Sequence, residues 1–151
     1  MKFSISGSDE LKGQIRKLPK QFKDASAVGQ ANAAQDIMAL SKTRAPYEDG
    51  DLEAGAFVGD VDYTAHSVVV DFGYEGVPYL ARQHEDLTLN HPGLKSKTKN
   101  PGRAAQGEAK FLESAMNDLD RSAQRSVAKA IDFFLRTGLL PKVVSRGVRF
   151  K

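Results

Sequence analysis

Apolar residues recur in this chain at two different periods, and the change of period marks out its elements. Phe3 and Ile5 alternate with polar residues over 1–6, which predicts a short strand with one apolar face. A helix is then predicted from Ser8, a capping residue followed by Asp9 and Glu10, whose charge suits the positive end of a helix dipole. Leu11, Ile15, Leu18, Phe22 and Ala25 lie along one helical stripe. Pro19 lacks a backbone donor and predicts a kink or break near Leu18. The stripe resumes through Gly29, Ala33, Ile37 and Leu40, whose small members would let another backbone approach closely. Lys42 and Arg44 complement the negative end of the dipole, and Pro46 stops the helix.

Past the turn-rich Tyr47–Asp51, one helical turn is predicted at Leu52–Ala56. The period then changes to two over Phe57–Tyr63, and the β-branched run Ser67–Phe72 predicts a second strand. Thr64, Ala65 and His66 make a hairpin connection, and Gly73 and Gly76 close the unit. Tyr79–Leu87 predicts a short helix with Leu80, His84 and Leu87 on one side and Pro78 at its start. The clearest pattern is Ala109–Thr137, where Leu112, Ala115, Leu119, Ala123, Val127, Ala130 and Phe134 trace one face and Arg121, Arg125 and Lys129 lie off it. Gly138 is a natural helix terminator, with Pro141 just beyond. The last stretch, 139–151, alternates enough to form a strand pairing with the hairpin, or a basic arm that orders on a partner.

Between the short helix and the last one, residues 88–108 are polar, basic and punctuated by glycine and proline. Loops of that length are usually functional or disordered, so this one is expected to project as an arm anchored by Leu80 and Leu87 on one side and by Phe111 and Leu112 on the other. The whole of 1–151 is expected to be a single domain, since 151 residues at 40% hydrophobic fill one core and not two. No apolar run approaches the roughly 20 residues that span a bilayer, so a soluble chain with no membrane partner is expected. No secretion signal is visible at Met1–Ser6. The absence of cysteine removes disulfide and thiolate chemistry.

Charge is sharply partitioned. Residues 45–90 hold ten acids against one base, Arg82, so this stretch carries −9 and the remainder +12 of an overall +3. Opposite blocks on one small domain suit surfaces that meet complementary surfaces on copies of the chain or on neighbours.

Candidate chemistry is thin. His84 and His91 lie seven positions apart across Asn90 and Pro92, which is not the one-turn spacing of a helical zinc site, and His66 falls in a turn. His84 is better explained by packing and hydrogen bonding. Asp60 and Asp62 alternate with Val61, where solvation of a strand's outer face alone would put them. Neither G-x-G-x-x-G nor G-x-x-x-x-G-K-[ST] occurs, so no nucleotide, metal or other cofactor is expected and no enzymatic activity. Lys95, Lys97, Lys99 and Arg103, with Lys142, Arg146, Arg149 and Lys151, could contact phosphates without reading sequence, or a protein partner.

The motifs themselves resemble a known group. Thr43-Arg44-Ala45-Pro46, then Asp49-Gly50-x-Leu52, a hairpin, Tyr79-Leu80-Ala81 with His84-Glu85, and Lys110-Phe111-Leu112-Glu113 resemble, in that order, the minor-capsid or tail-completion proteins of tailed bacteriophages. Gene product ten of a lambdoid phage typifies that family, and minor tail protein Z is a more distant member. The likeness spans roughly Ala34–Met116. Asp49 stands where the family usually has threonine, and Glu53 where it has arginine. The resemblance implies an α+β fold, with long N-terminal and C-terminal helices packed on a small antiparallel sheet and a long basic loop. It makes Pro46, Gly50, Leu52, Tyr79, Leu80, Phe111 and Leu112 the anchors of the motifs. It implies a structural virion protein, assembled in the host cytoplasm, that forms a homo-oligomeric ring, commonly a hexamer, in the neck. The ring would join the tail tube to the head connector and neighbouring neck and tail proteins around the DNA passage. A tail terminator on a similar fold, or a small nucleic-acid-binding domain using the basic loop and C-terminus, are the alternatives.

Overall fold

In the computed structural model of the chain, the described residues are 8–46, 50–64, 67–89 and 107–142, with the backbone alone for 8–18. The strand expected at 1–6, most of the expected arm and the stretch 143–151 lie outside them. The fold is α+β. Helix α1 (Ser8–Arg44) is followed by the single turn α2 (Asp51–Ala54), strands β1 (Ala56–Tyr63) and β2 (Val68–Tyr74), the short α3 (Leu80–Glu85) and the long α4 (Phe111–Thr137).

Helix α1 runs 37 residues, about 55 Å at roughly 1.5 Å per residue. It is not broken at Pro19. That residue is exposed, so the carbonyl it cannot serve can turn to water. Helix α4 lies antiparallel to α1: Phe134 near its end meets the ring of Phe22 edge-on at 5.6 Å, while Ser114 and Asp118 near its start hydrogen-bond Arg44. At the crossing, Gly29 faces the backbone of α4 so closely that a Cβ there would sit 2.5 Å from Cα of Val127. Gly29 therefore does what the spacing of the α1 stripe predicts.

The sheet packs on a second side of α1. Ala27 and Ala31 are fully buried against Val61, with Tyr63, Val68 and Val70 around them. β1 and β2 pair antiparallel, Val58 opposite Phe72 but Val61 opposite Val70, so β1 carries one extra residue between them. Cross-strand partners share a face, so this bulge puts Val58 on the same face as Val61, where unbroken alternation would have chosen Phe57. β2 continues through Gly73 to Tyr74, two residues beyond the expected end. Tyr74 then hydrogen-bonds the fully buried Ser41 at 2.8 Å, pinning the sheet's far end to α1.

At the hairpin's other end the Tyr63 hydroxyl lies beside Asp24 of α1. Burial first, then the charge and hydrogen bond of Asp24, push the phenol up to about 12. A raised folded value favours the neutral phenol. The stabilisation is therefore whole below about pH 10, the ordinary tyrosine value, and is lost as pH climbs through about 12. Ultraviolet difference absorbance, read as the difference between the parent chain and Tyr63→Phe, should show Tyr63 ionising well above the ordinary tyrosine value, and Asp24→Asn should bring it only part of the way back, since burial is the larger cause. A Tyr63 that ionises near pH 10, the ordinary tyrosine value, would refute this placement.

Candidate assembly junction

The short motifs singled out in the sequence, spread over nearly 70 residues, are gathered at one end of the helix pair. Phe111 is fully buried there, in a cluster with Ala45 and Leu52, and Tyr74, Val77, Leu80 and Leu112 pack around it. Tyr74 meets its ring edge-on at 5.2 Å and His84 at 4.9 Å. Each segment has a local reason for its shape. Gly50, with φ 96°, adopts a left-handed turn that starts α2 and drops Leu52 into the cluster. Lys110, the one non-glycine residue with positive φ among the described residues, sits at φ 57° just before α4. Its amide donates to the His84 carbonyl at 2.7 Å, a bond between residues 26 positions apart that holds the turn in place.

Two basic side chains tie the junction together. Arg44 makes an ion pair with Glu108 at 3.2 Å and with Asp118 at 2.5 Å, and donates to Ser114 Oγ at 3.1 Å. Its carbonyl accepts from the Glu108 amide at 3.0 Å. A guanidinium fork with several oriented acceptors holds direction better than a lone surface pair would. Lys110 pairs with Glu85 and with Glu113, the latter at 3.3 Å. The Lys110 hydrogen bond, then that of His84, holds the Glu85 carboxyl below the usual carboxylate range, and Glu85 in turn raises the Lys110 ammonium. His84 Nδ1 lies 2.8 Å from Glu85, while its buried Nε2 has no hydrogen-bond partner among the described residues.

These contacts grip both ends of the segment whose middle, 90–106, lies outside the described residues. On the outgoing side, Thr88 donates through its amide and hydroxyl to Asp86 Oδ1, at 2.9 and 2.6 Å. On the returning side, Gly107 lies so close to Pro46 that a side chain there would collide with the proline backbone.

The anchors inferred from the resemblance divide. Leu52 and Phe111 are buried, Leu80 and Leu112 are half-buried, Pro46 is covered by Gly107, and Gly50 makes the turn. Tyr79 is not a core residue: it is 41% exposed, and its hydroxyl reaches Asp51 at 3.4 Å. Leu87 does not pin the arm, being 75% exposed, because α3 ends at Glu85 and carries Leu87 off the helical face. The pinning is done instead by the His84 backbone and by Arg44, whose helix-end charge and place in the Thr43–Pro46 motif do not by themselves foretell these contacts. Lys142 is exposed, while Lys95, Lys97, Lys99, Arg103, Arg146 and Arg149 lie outside the described residues.

Among the described residues, no group of three or more His, Cys, Asp or Glu side chains is gathered to hold a metal ion, and no helix is long and apolar enough to cross a membrane. Comparison with models of protein families, with curated proteins and with solved structures gave no match.

Proposed function

We propose that this chain is a structural subunit of a tailed-phage neck, a tail-completion protein whose copies close into a ring between tail tube and head connector. The observation that carries the reading is the junction itself. Of the motifs that resemble the tail-completion family, Ala45, Leu52, Leu80, Phe111 and Leu112 meet in one cluster, and Arg44, His84 and Lys110 hold both ends of segment 90–106. A rigid base under a long basic segment suits a subunit that must reach a neighbour. Surfaces of opposite sign add to this: Asp62 and Asp71 are exposed on the hairpin, and Arg121, Arg125 and Lys129 form an exposed row along α4. Such faces can meet head-to-tail and close by rotation.

Replacing Lys95, Lys97 and Lys99 together by glutamate should cut infectious tailed particles by roughly tenfold or more, the effect of losing about 1.4 kcal/mol of docking energy. The isolated protein should form rings in electron micrographs without DNA, and the rings should weaken as salt screens the opposed faces. Normal infectivity of the triple variant would remove the segment from assembly. Tight DNA binding by isolated subunits at physiological salt, with no rings, would replace this reading with a small nucleic-acid-binding domain.

A further inference from the structure

The two-stranded sheet ends abruptly beside a groove. Among the described residues β2 is paired on one side only. Helix α4 packs chiefly on α1, not on the sheet, which leaves a gap between α4 and β2 with α1 as its floor. That gap is a groove of about 280 Å³, lined by Ala33 and Ile37 of α1, Val70 and Phe72 of β2, and Ala123 and Val127 of α4. A second depression shares Gln30 with it and continues past Ser26 to Phe22, Ser67 and Val68. One wall is formed by Val70 and Phe72 of β2, a strand paired on one side only among the described residues, and the floor is apolar. This is the combination that accepts an extended segment with apolar side chains at alternate positions.

We infer that this groove is the docking site of the chain's own residues 143–151, which add to the sheet as a third strand running parallel to β2. The path of the chain supports this occupant. Phe134, one turn before the end of α4, packs on Phe22, and Phe22 lines the groove's outer end with Ser67 and Val68. Gly138, at φ 69°, then ends the helix, so the chain leaves α4 where the groove begins. The nine residues after Lys142 span about 30 Å extended, against about 23 Å for the seven residues of β2. Period two sets Val144, Val148 and Phe150 on one side, to meet the apolar floor. Arg146 falls on that side too, and its long stem can carry the charge to the rim, where Asp120 hydrogen-bonds Gln124. Arg149 and Lys151 fall on the other side, that of the exposed Asp71. Tethering favours docking within one chain over docking between chains, because it raises the effective concentration of the segment.

The chain has no cysteine, so a designed pair reports without background. In the full chain, Gln124→Cys combined with Val148→Cys should form an intramolecular disulfide on mild oxidation of dilute protein. A control pair, Arg82→Cys with Val148→Cys, should react at least roughly tenfold more slowly, since disulfide geometry demands close Cβ atoms. Disulfide-linked dimers as the main product would assign the groove to a second copy, and a rate equal to the control would leave it without this occupant; either overturns the inference. Hydrogen exchange gives an independent reading. Ending the chain at Lys142 should speed exchange of the β2 amides by roughly tenfold or more, and a synthetic 143–151 peptide should restore protection. Unchanged exchange on truncation overturns the proposal as well.

Discussion

Replacing Phe111 by alanine is expected to cost about 3–4 kcal/mol of folding stability, in the lower part of the range for truncating a buried phenylalanine. The ring is fully buried and touches four separate stretches of chain, through Ala45, Leu52, Tyr74 and His84. Removing it deletes the one large side chain they share. The full penalty is softened by His84, whose buried Nε2 has no hydrogen-bond partner among the described residues and would gain access to water through the new cavity. Domains of this size are stable by only about 5–15 kcal/mol, so the loss is a large share of the total. Chemical denaturation of Phe111→Ala would measure it, and hydrogen exchange should rise first in α3 and the first turn of α4, which the ring holds together. A loss under about 1 kcal/mol would mean that Arg44 and Lys110, not the ring, organise the junction.

The elements that sequence exposes most clearly are those whose burial is one-sided. Helix α4 ends at Thr137 with Gly138 behind it as expected, because its apolar face packs chiefly on α1 and leaves Arg121, Arg125 and Lys129 in water. Helix α1 was only half legible. Its stripe from Phe22 to Ile37 points at α4, but Ala27 and Ala31 form a second buried side beneath the sheet, and small residues make a faint hydrophobic signal. The bulge in β1 was invisible, since alternation read from Phe57 gives no sign of an added residue; the partner strand decides it. Tyr74 could have been found. It continues the period of Val68, Val70 and Phe72, and only the glycine at 73 argued for stopping earlier. The junction was legible as a set of motifs and not as a place. Its ion pairs join residues up to 74 positions apart, and no local pattern tells Arg44 that Asp118 will be beside it.

Gly29→Ala sets two effects against each other, and the close crossing decides the sign. In a helix interior, alanine is favoured over glycine by about 1 kcal/mol, partly because glycine leaves the unfolded chain more freedom. Here the added methyl would lie 2.5 Å from Cα of Val127 and 3.0 Å from the Ser126 carbonyl oxygen. Those are backbone atoms, which cannot rotate away as a flexible side chain could, so the helices must separate. Overpacking of this kind costs about 1–3 kcal/mol and strips contacts from neighbouring layers as well. The net expectation is a destabilisation of about 1–2 kcal/mol for alanine, and failure to fold stably for Gly29→Leu. The damage should also be uneven. The first half of α4 is secured by Phe111 and by Arg44, whereas the second half relies on the crossing at Gly29 and on the Phe22–Phe134 pair. Exchange in Gly29→Ala should therefore accelerate first at Ala130–Phe134, while the amides around Ser114 stay protected. Denaturation showing Gly29→Ala to be more stable than the parent chain would mean that propensity wins and that the helices do not cross at contact distance.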